Sequence, residues 1–234
     1  MSIHFEKELL NLKKRILTLG AMVEERVRMA VESVEKKDAV LAEKVIRADY
    51  DIDEMEVDIE EECIKVLALH QPVAVDLRFI IAMIKINAQL ENIGDQAVNI
   101  AQRVEIIARH KKDVFSFDYS IMAKKARNML KMSLDSLVNL DIQQAFKVLT
   151  LDDEVDLIKR QAYDEIKEAM AIHSGSIGYL INLLLISRHL ERLADLATNI
   201  AEDVIYLIEG EIVRHTQIIL KKEQKNDKEN SCSG

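Results

Sequence analysis

Apolar residues recur along this chain at i, i+3, i+4 and i+7, the spacing that lays a single buried stripe along an α-helix. Six long helices follow from it. The first runs from about Phe5 to Lys36, with Leu9, Leu12, Ile16, Leu19, Val23, Val27 and Ala30 as its stripe. Lys36-Lys37-Asp38 interrupts the pattern, and Asp38 is placed to cap the next helix by accepting its free N–H groups. That second helix extends to about His70, where Gln71-Pro72 ends it and opens a third over about 73–110. A polar connector, Lys111–Tyr119, separates the halves. Three further helices are expected at about 120–140, 142–172 and 177–208, with Asp141 standing before the fifth as Asp38 stands before the second. Short connections force neighbours to run antiparallel, so each half reads as a three-helix bundle.

The two halves repeat one another. Asp38 and Asp141 are 103 residues apart, while the third and sixth helices align at an offset of 100. Between 81–104 and 181–204 ten positions are identical, among them Leu90, Glu91, Asp95, Asn99 and Ala101 with Leu190, Glu191, Asp195, Asn199 and Ala201. Chance alone gives on the order of one or two, so this is an internal duplication. The three-residue change of offset falls between helices, where His70–Val75 is replaced by a shorter stretch, Ser174–Gly178. The fold class expected is all-α, two tandem-repeat three-helix bundles packed side by side: residues 1–112, residues 118–214, and a flexible charged tail over 215–234.

Composition agrees and narrows the chemistry. One proline, six glycines, no tryptophan and 4% aromatics in 234 residues cannot punctuate a sheet protein. With 49% hydrophobic residues there is ample core. A net charge of −9 argues against nucleic acid, whose phosphates need a basic patch. The most apolar runs, Phe79–Ile84 and Leu180–Ile186, are far shorter than the ~20 residues of a membrane span. No signal-peptide core follows the charged start, and Cys63 and Cys232 do not make a disulfide framework. The expected compartment is the cytoplasm.

Part of the negative charge is ordered. Glu91, Asp95 and Asn99 lie four apart, on one helix face, and recur as Glu191, Asp195 and Asn199. On the preceding helix of each half stand Asp49 and Asp53, then Asp152 and Asp156. Counted back from the interhelical turn, Asp53 lies about as far away as Glu91 does beyond it, so the four carboxylates of a half can meet. Like charges at i, i+4 repel, and a cation between them removes that penalty. An all-oxygen donor set suits magnesium, manganese, calcium or iron better than zinc or copper. The bland reading is two solvated acidic faces; four pairs at equivalent positions of a duplication weigh against it.

Gln71-Pro-Val-Ala-Val-Asp-Leu-Arg78, Leu90-Glu-Asn-Ile-Gly-Asp95 with Asn99-Ile-Ala101, and Leu190-Glu-Arg-Leu-Ala-Asp195 with Asn199-Ile-Ala201 resemble the PhoU family of bacterial phosphate-uptake regulators, over about residues 5–212. The resemblance implies two three-helix bundles with multinuclear metal clusters on their acidic motifs, iron first, with manganese, magnesium, calcium or zinc open. The ligands it implies are Asp49, Asp53, Glu91, Asp95 and Asn99, then Asp152, Asp156, Glu191, Asp195 and Asn199. It also implies a non-enzymatic, negative regulator of the phosphate-starvation response. Such an adaptor joins the ATPase subunit of the phosphate ABC transporter to a sensor histidine kinase, reaches the membrane only through these partners, and forms a homodimer. Two departures stand out: Asn92 occupies the place held by Arg192, and the second half lacks the Gln-Pro turn.

Other signals are weaker. No histidine follows a glutamate by three, so the Glu-x-x-His element of di-iron bundles is absent. His189 faces away from Glu191, and Cys63 and the nine methionines read as core. Gly94 suggests a close helix approach, Gly175 and Gly178 turns, and Asp76 and Arg78 either a partner-facing patch or a local ion pair. No nucleophile–base pair or Gly-rich phosphate loop occurs, so binding of phosphate by the chain itself is not indicated. A carboxylate-bridged metallo-hydrolase and a metal-free helical scaffold remain the alternatives.

Overall fold

A computed structural model describes residues 3–110 and 114–210. The expected tail over 215–234 lies outside the described residues. Seven α-helices follow in order: α1 (Ile3–Lys36), α2 (Ala39–Arg47), α3 (Tyr50–His70), α4 (Ala74–Ala108), α5 (Ser120–Asn139), α6 (Ile142–Ile172) and α7 (Ile177–Glu209), with a 3-10 turn at Ser174–Ser176. No strand occurs among the described residues. No single helix there is long and apolar enough to cross a membrane.

The two predicted caps form. The Asp38 carboxylate accepts from the N–H groups of Val40 and Leu41, and that of Asp141 from Gln144. Pro72 does not open a helix: Gln71 closes α3 in the left-handed region and α4 begins only at Ala74. Nor do Gly175 and Gly178 supply left-handed backbone. That conformation falls to Lys37, Gln71, Ala74 and Leu140, and to Gly210 at the end of α7. The Arg78 guanidinium lies against Gly210, so the first-half turn is tied to the end of the second half; among the described residues no ion pair joins Arg78 to Asp76.

The expected second helix is two. Arg26, buried on α1, donates from Nη1 to the carbonyl of Val45 at 3.2 Å. That carbonyl would otherwise receive the amide of Asp49, which instead reaches Ile46 at 3.5 Å. A helix whose carbonyl is taken by a side chain breaks there. At the repeat offset of 103, Met129 stands where Arg26 does, and α6 runs unbroken.

α4 and α7 form the centre. Each is buried on most of its circumference, the mark of an interior helix. α1, α2 and α3 pack on α4, and α5 and α6 on α7. The two bundles share one continuous core. Lys85 meets Asp203 at 3.0 Å and Arg103 meets Asn182 at 3.4 Å, so α4 and α7 run antiparallel. This register sets Ile93 level with Leu193, both fully buried, and relates the halves by a pseudo-twofold axis at that point.

The connector is less polar than expected. Tyr119 is buried and donates from its hydroxyl to the Leu183 carbonyl at 2.6 Å, while Tyr179 donates to that of Phe115. Aromatic side chains therefore fasten the link between bundles to α7.

Gly94 permits the expected close approach. A Cβ there would sit 3.3 Å from two carbons of Ile52. The equivalent second-half positions hold Ala194 and Val155, one methyl group moved from one helix to the other. Gly94→Ala alone is expected to be near neutral, crowding of Ile52 offsetting the gain in helix propensity. In an Ile52→Val background the same change should stabilise by about 1 kcal/mol. A double-mutant cycle by urea unfolding reads the coupling; equal effects in both backgrounds would remove this account.

Candidate metal centre

Three elements build the first acidic stripe, and two, α6 and α7, the second. In the first half the break before α3 presents Asp49, the first turn of α3 carries Asp53, and α4 brings Glu91 and Asp95 alongside. Burial raises the Glu91 carboxyl to about 7, helped by Asp95, Glu56, Asp53 and Asp49. Asp49 is raised by burial and then by Asp53 and Asp95, with Arg26 opposing. Asp95 is raised by burial and by Asp53. The four predicted carboxylates therefore share one patch of field.

A fifth belongs with them. Glu56 is also raised, by burial first and then by Glu60 and Asp53. Its side chain is steadied by Asn87, whose Nδ2 donates to the Glu56 carbonyl at 2.8 Å and to Oε1 at 3.2 Å. The sequence carried a signal for it, because Glu56 sits seven residues beyond Asp49. That is two turns along the same face.

In the second half Asp152, Asp156, Glu191 and Asp195 also gather. Burial, then Glu191 and Asp152, push Asp195 up to about 6, with Arg192 opposing. Asp152 is raised by burial, Asp156 and Asp153. Here cations intervene. Lys159 donates from Nζ to Glu191 Oε1 at 2.5 Å, Arg192 stands 3.7 Å from Asp195, and Arg160 3.7 Å from Asp156. Among the described residues no such ion pair reaches the first-half carboxylates.

The asparagines are less clearly part of either stripe. Asn199 turns its amide nitrogen to Gln89 across the α4–α7 seam at 3.3 Å, which leaves its carbonyl oxygen to face elsewhere. No hydrogen bond among the described residues ties Asn99 to the carboxylates. His189 pairs with Gln96 at 3.0 Å, and burial with Arg103 and Arg188 lowers its pKa, so it is a neutral seam residue. Cys63 is fully buried, its thiol pushed up to about 12 by desolvation.

The residues fit a hard cation by donor type and by one unmet need: Asp49 Oδ1 is buried without a hydrogen-bond partner. Among the described residues, no three carboxylate, histidine or cysteine side chains are drawn together closely enough to hold an ion as they stand.

The family model described as PhoU domain matches twice, over residues 16–104 and 119–204. The chain belongs to the PhoU family. It is 38% identical over 217 residues to a protein from Aquifex aeolicus named as a homolog of the phosphate-specific transport system accessory protein PhoU, covering 93% of this chain and 98% of that one. It is 30% identical to the Escherichia coli protein of that name, covering 92% and 89%. The crystal structure of PhoU from Pseudomonas aeruginosa superposes with a TM-score of 0.85 at 34% identity, covering 88% of this chain and all of that one. A phosphate transport system regulatory protein PhoU from Streptococcus pneumoniae gives 0.76 at 30%. Both halves of the duplication match the PhoU domain.

Proposed function

We propose that this chain is a cytoplasmic accessory regulator of phosphate transport. As an adaptor it joins the ATPase of the phosphate ABC transporter to a sensor histidine kinase and holds the starvation response off while phosphate is plentiful. The observation that carries this reading is the match, along nearly the whole chain, to proteins named as accessory components of phosphate-specific transport. Those names denote accessory proteins, which supports a non-enzymatic role. Deletion of the protein should switch on a phosphate-starvation reporter at high phosphate; a reporter that stays silent would sink the reading. Co-purification of the transporter ATPase and the kinase with the tagged chain tests the adaptor role, and light scattering tests the homodimer.

The reading includes metal. Asp49, Asp53, Glu91 and Asp95 hold it in the first half, and Asp152, Asp156, Glu191 and Asp195 in the second, with Asn99 and Asn199 as flanking oxygens. Iron is the first candidate. Bound cations would supply the charge that the stripes lack and draw α3 onto α4 and α6 onto α7. Support comes from the mutual elevation of the carboxylates and from the unpartnered Asp49 oxygen. Asp95→Ala with Asp195→Ala is expected to lose metal, measured by elemental analysis of protein grown with iron and manganese and purified without chelators, while circular dichroism keeps its helical signal. Wild-type protein carrying less than roughly one ion per chain would end the metal reading.

A further inference from the structure

The two stripes are the same device with opposite trimming. At the repeat offsets, Glu56, Val57 and Asn92 of the first half become Lys159, Arg160 and Arg192 of the second. Three positions bordering one acidic patch have each become cationic in the other. The geometry shows the consequence: Lys159 Nζ sits 2.5 Å from Glu191, with Arg192 and Arg160 each 3.7 Å from an aspartate. In the first half Glu56 adds a fifth carboxylate, Asn92 turns back to donate to the Ala88 carbonyl at 2.7 Å, and an Asp49 oxygen has no partner.

Resting on the metal reading above, we propose that the two halves are unequal cation sites. The first half is the site that loads, and the second carries its own counter-ion in the Lys159 ammonium. A divalent ion entering the second stripe must displace that ammonium from Glu191 and settle beside two guanidinium groups. An ion entering the first has no ion-paired ammonium or guanidinium to displace among the described residues; the nearby Arg26 is engaged with the Val45 carbonyl. Exchanging a negative for a positive side chain at contact distance reverses the sign of a term that, at a protein surface, amounts to at least a tenfold change in binding. The chain therefore takes up cations in two steps rather than one.

The test uses the full chain, stripped with chelator and titrated with manganese(II), free ion being read by its electron paramagnetic resonance signal. Wild type should show a tight class and a class weaker by about tenfold or more. Asp95→Asn and Glu56→Lys should remove the tight class, and Asp195→Asn should leave it intact. Lys159→Glu should bring the weak class close to the tight one, and Lys159→Met should do so in part. Lys167→Met makes the same charge change two turns further along α6 and should do neither. Circular dichroism confirms that each variant keeps its helices. One affinity for both halves, or loss of the tight class in Asp195→Asn, overturns this ordering while the metal reading stands. Absence of binding in every variant overturns both.

Discussion

Leu193→Ala should lower the melting temperature by about 5–15 °C. Leu193 is fully buried where α4 and α7 cross, level with Ile93, and helices from both bundles close around that crossing. Removing a large aliphatic side chain from such a site destabilises by roughly 2–5 kcal/mol, the lost transfer energy plus the cavity left behind. In a chain of this size each kcal/mol moves the midpoint by about 2–4 °C. Because the core is continuous, the halves should still unfold in one transition. Two resolved transitions in the variant's thermal melt would show that the seam, rather than the chain, had been broken.

The metal-free protein should grow more stable on mild acidification. Glu91 has its carboxyl raised from 4.5 to about 7 in the folded chain, and Asp195 from 3.8 to about 6. A raised acid binds its proton more tightly folded than unfolded. Its contribution is thus complete below the ordinary value and is lost as the pH climbs through the folded one. Asp49, Glu56, Asp95 and Asp152 act in the same direction. The lowered pKa of His189 opposes them between its folded value and 6.5. The carboxylates are partly exposed, and solvent screening keeps each effect modest. Summed, a gain of about 5–10 °C between pH 7.5 and pH 5 is expected in scanning fluorimetry. Glu91→Gln should remove much of the upper part of that slope, and saturating manganese should flatten it at neutral pH. A melting temperature that rises with pH across this interval, or one indifferent to Glu91→Gln, would contradict the electrostatic description of the stripes.

Much of this molecule was legible in its sequence because the rules involved are local. Asp38 and Asp141 cap helices with their own backbone, and the apolar stripes locate α1, α4, α5, α6 and α7 within a few residues. What stayed hidden depends on contact between distant segments. The break before Asp49 is made by Arg26, which takes the carbonyl of Val45, nineteen residues further along the chain and on a neighbouring helix. Nothing in the apolar period of residues 39–70 announces it. The anchoring of the connector by Tyr119 is likewise a bond to Leu183, 64 residues away. Gly175 lies in the 3-10 turn, while the left-handed positions fall on Lys37, Gln71, Ala74 and Leu140, residue types that do not announce such a backbone. The site was half readable. Spacing placed the eight carboxylates in two groups, and the same offsets applied to their neighbours would have exposed the exchange of Glu56 for Lys159.

The antiparallel run of α4 beside α7 has a consequence for reach. The turn at 71–73 and the turn at 173–176 stand at opposite ends of the central helix pair, separated by the length of a 35-residue helix, roughly 50 Å. The two ends also differ in kind, one carrying Gln71-Pro72 and an arginine laid over Gly210, the other a plain 3-10 turn. The two ends of the central helix pair are thus unlike surfaces held at a fixed distance by one continuous core.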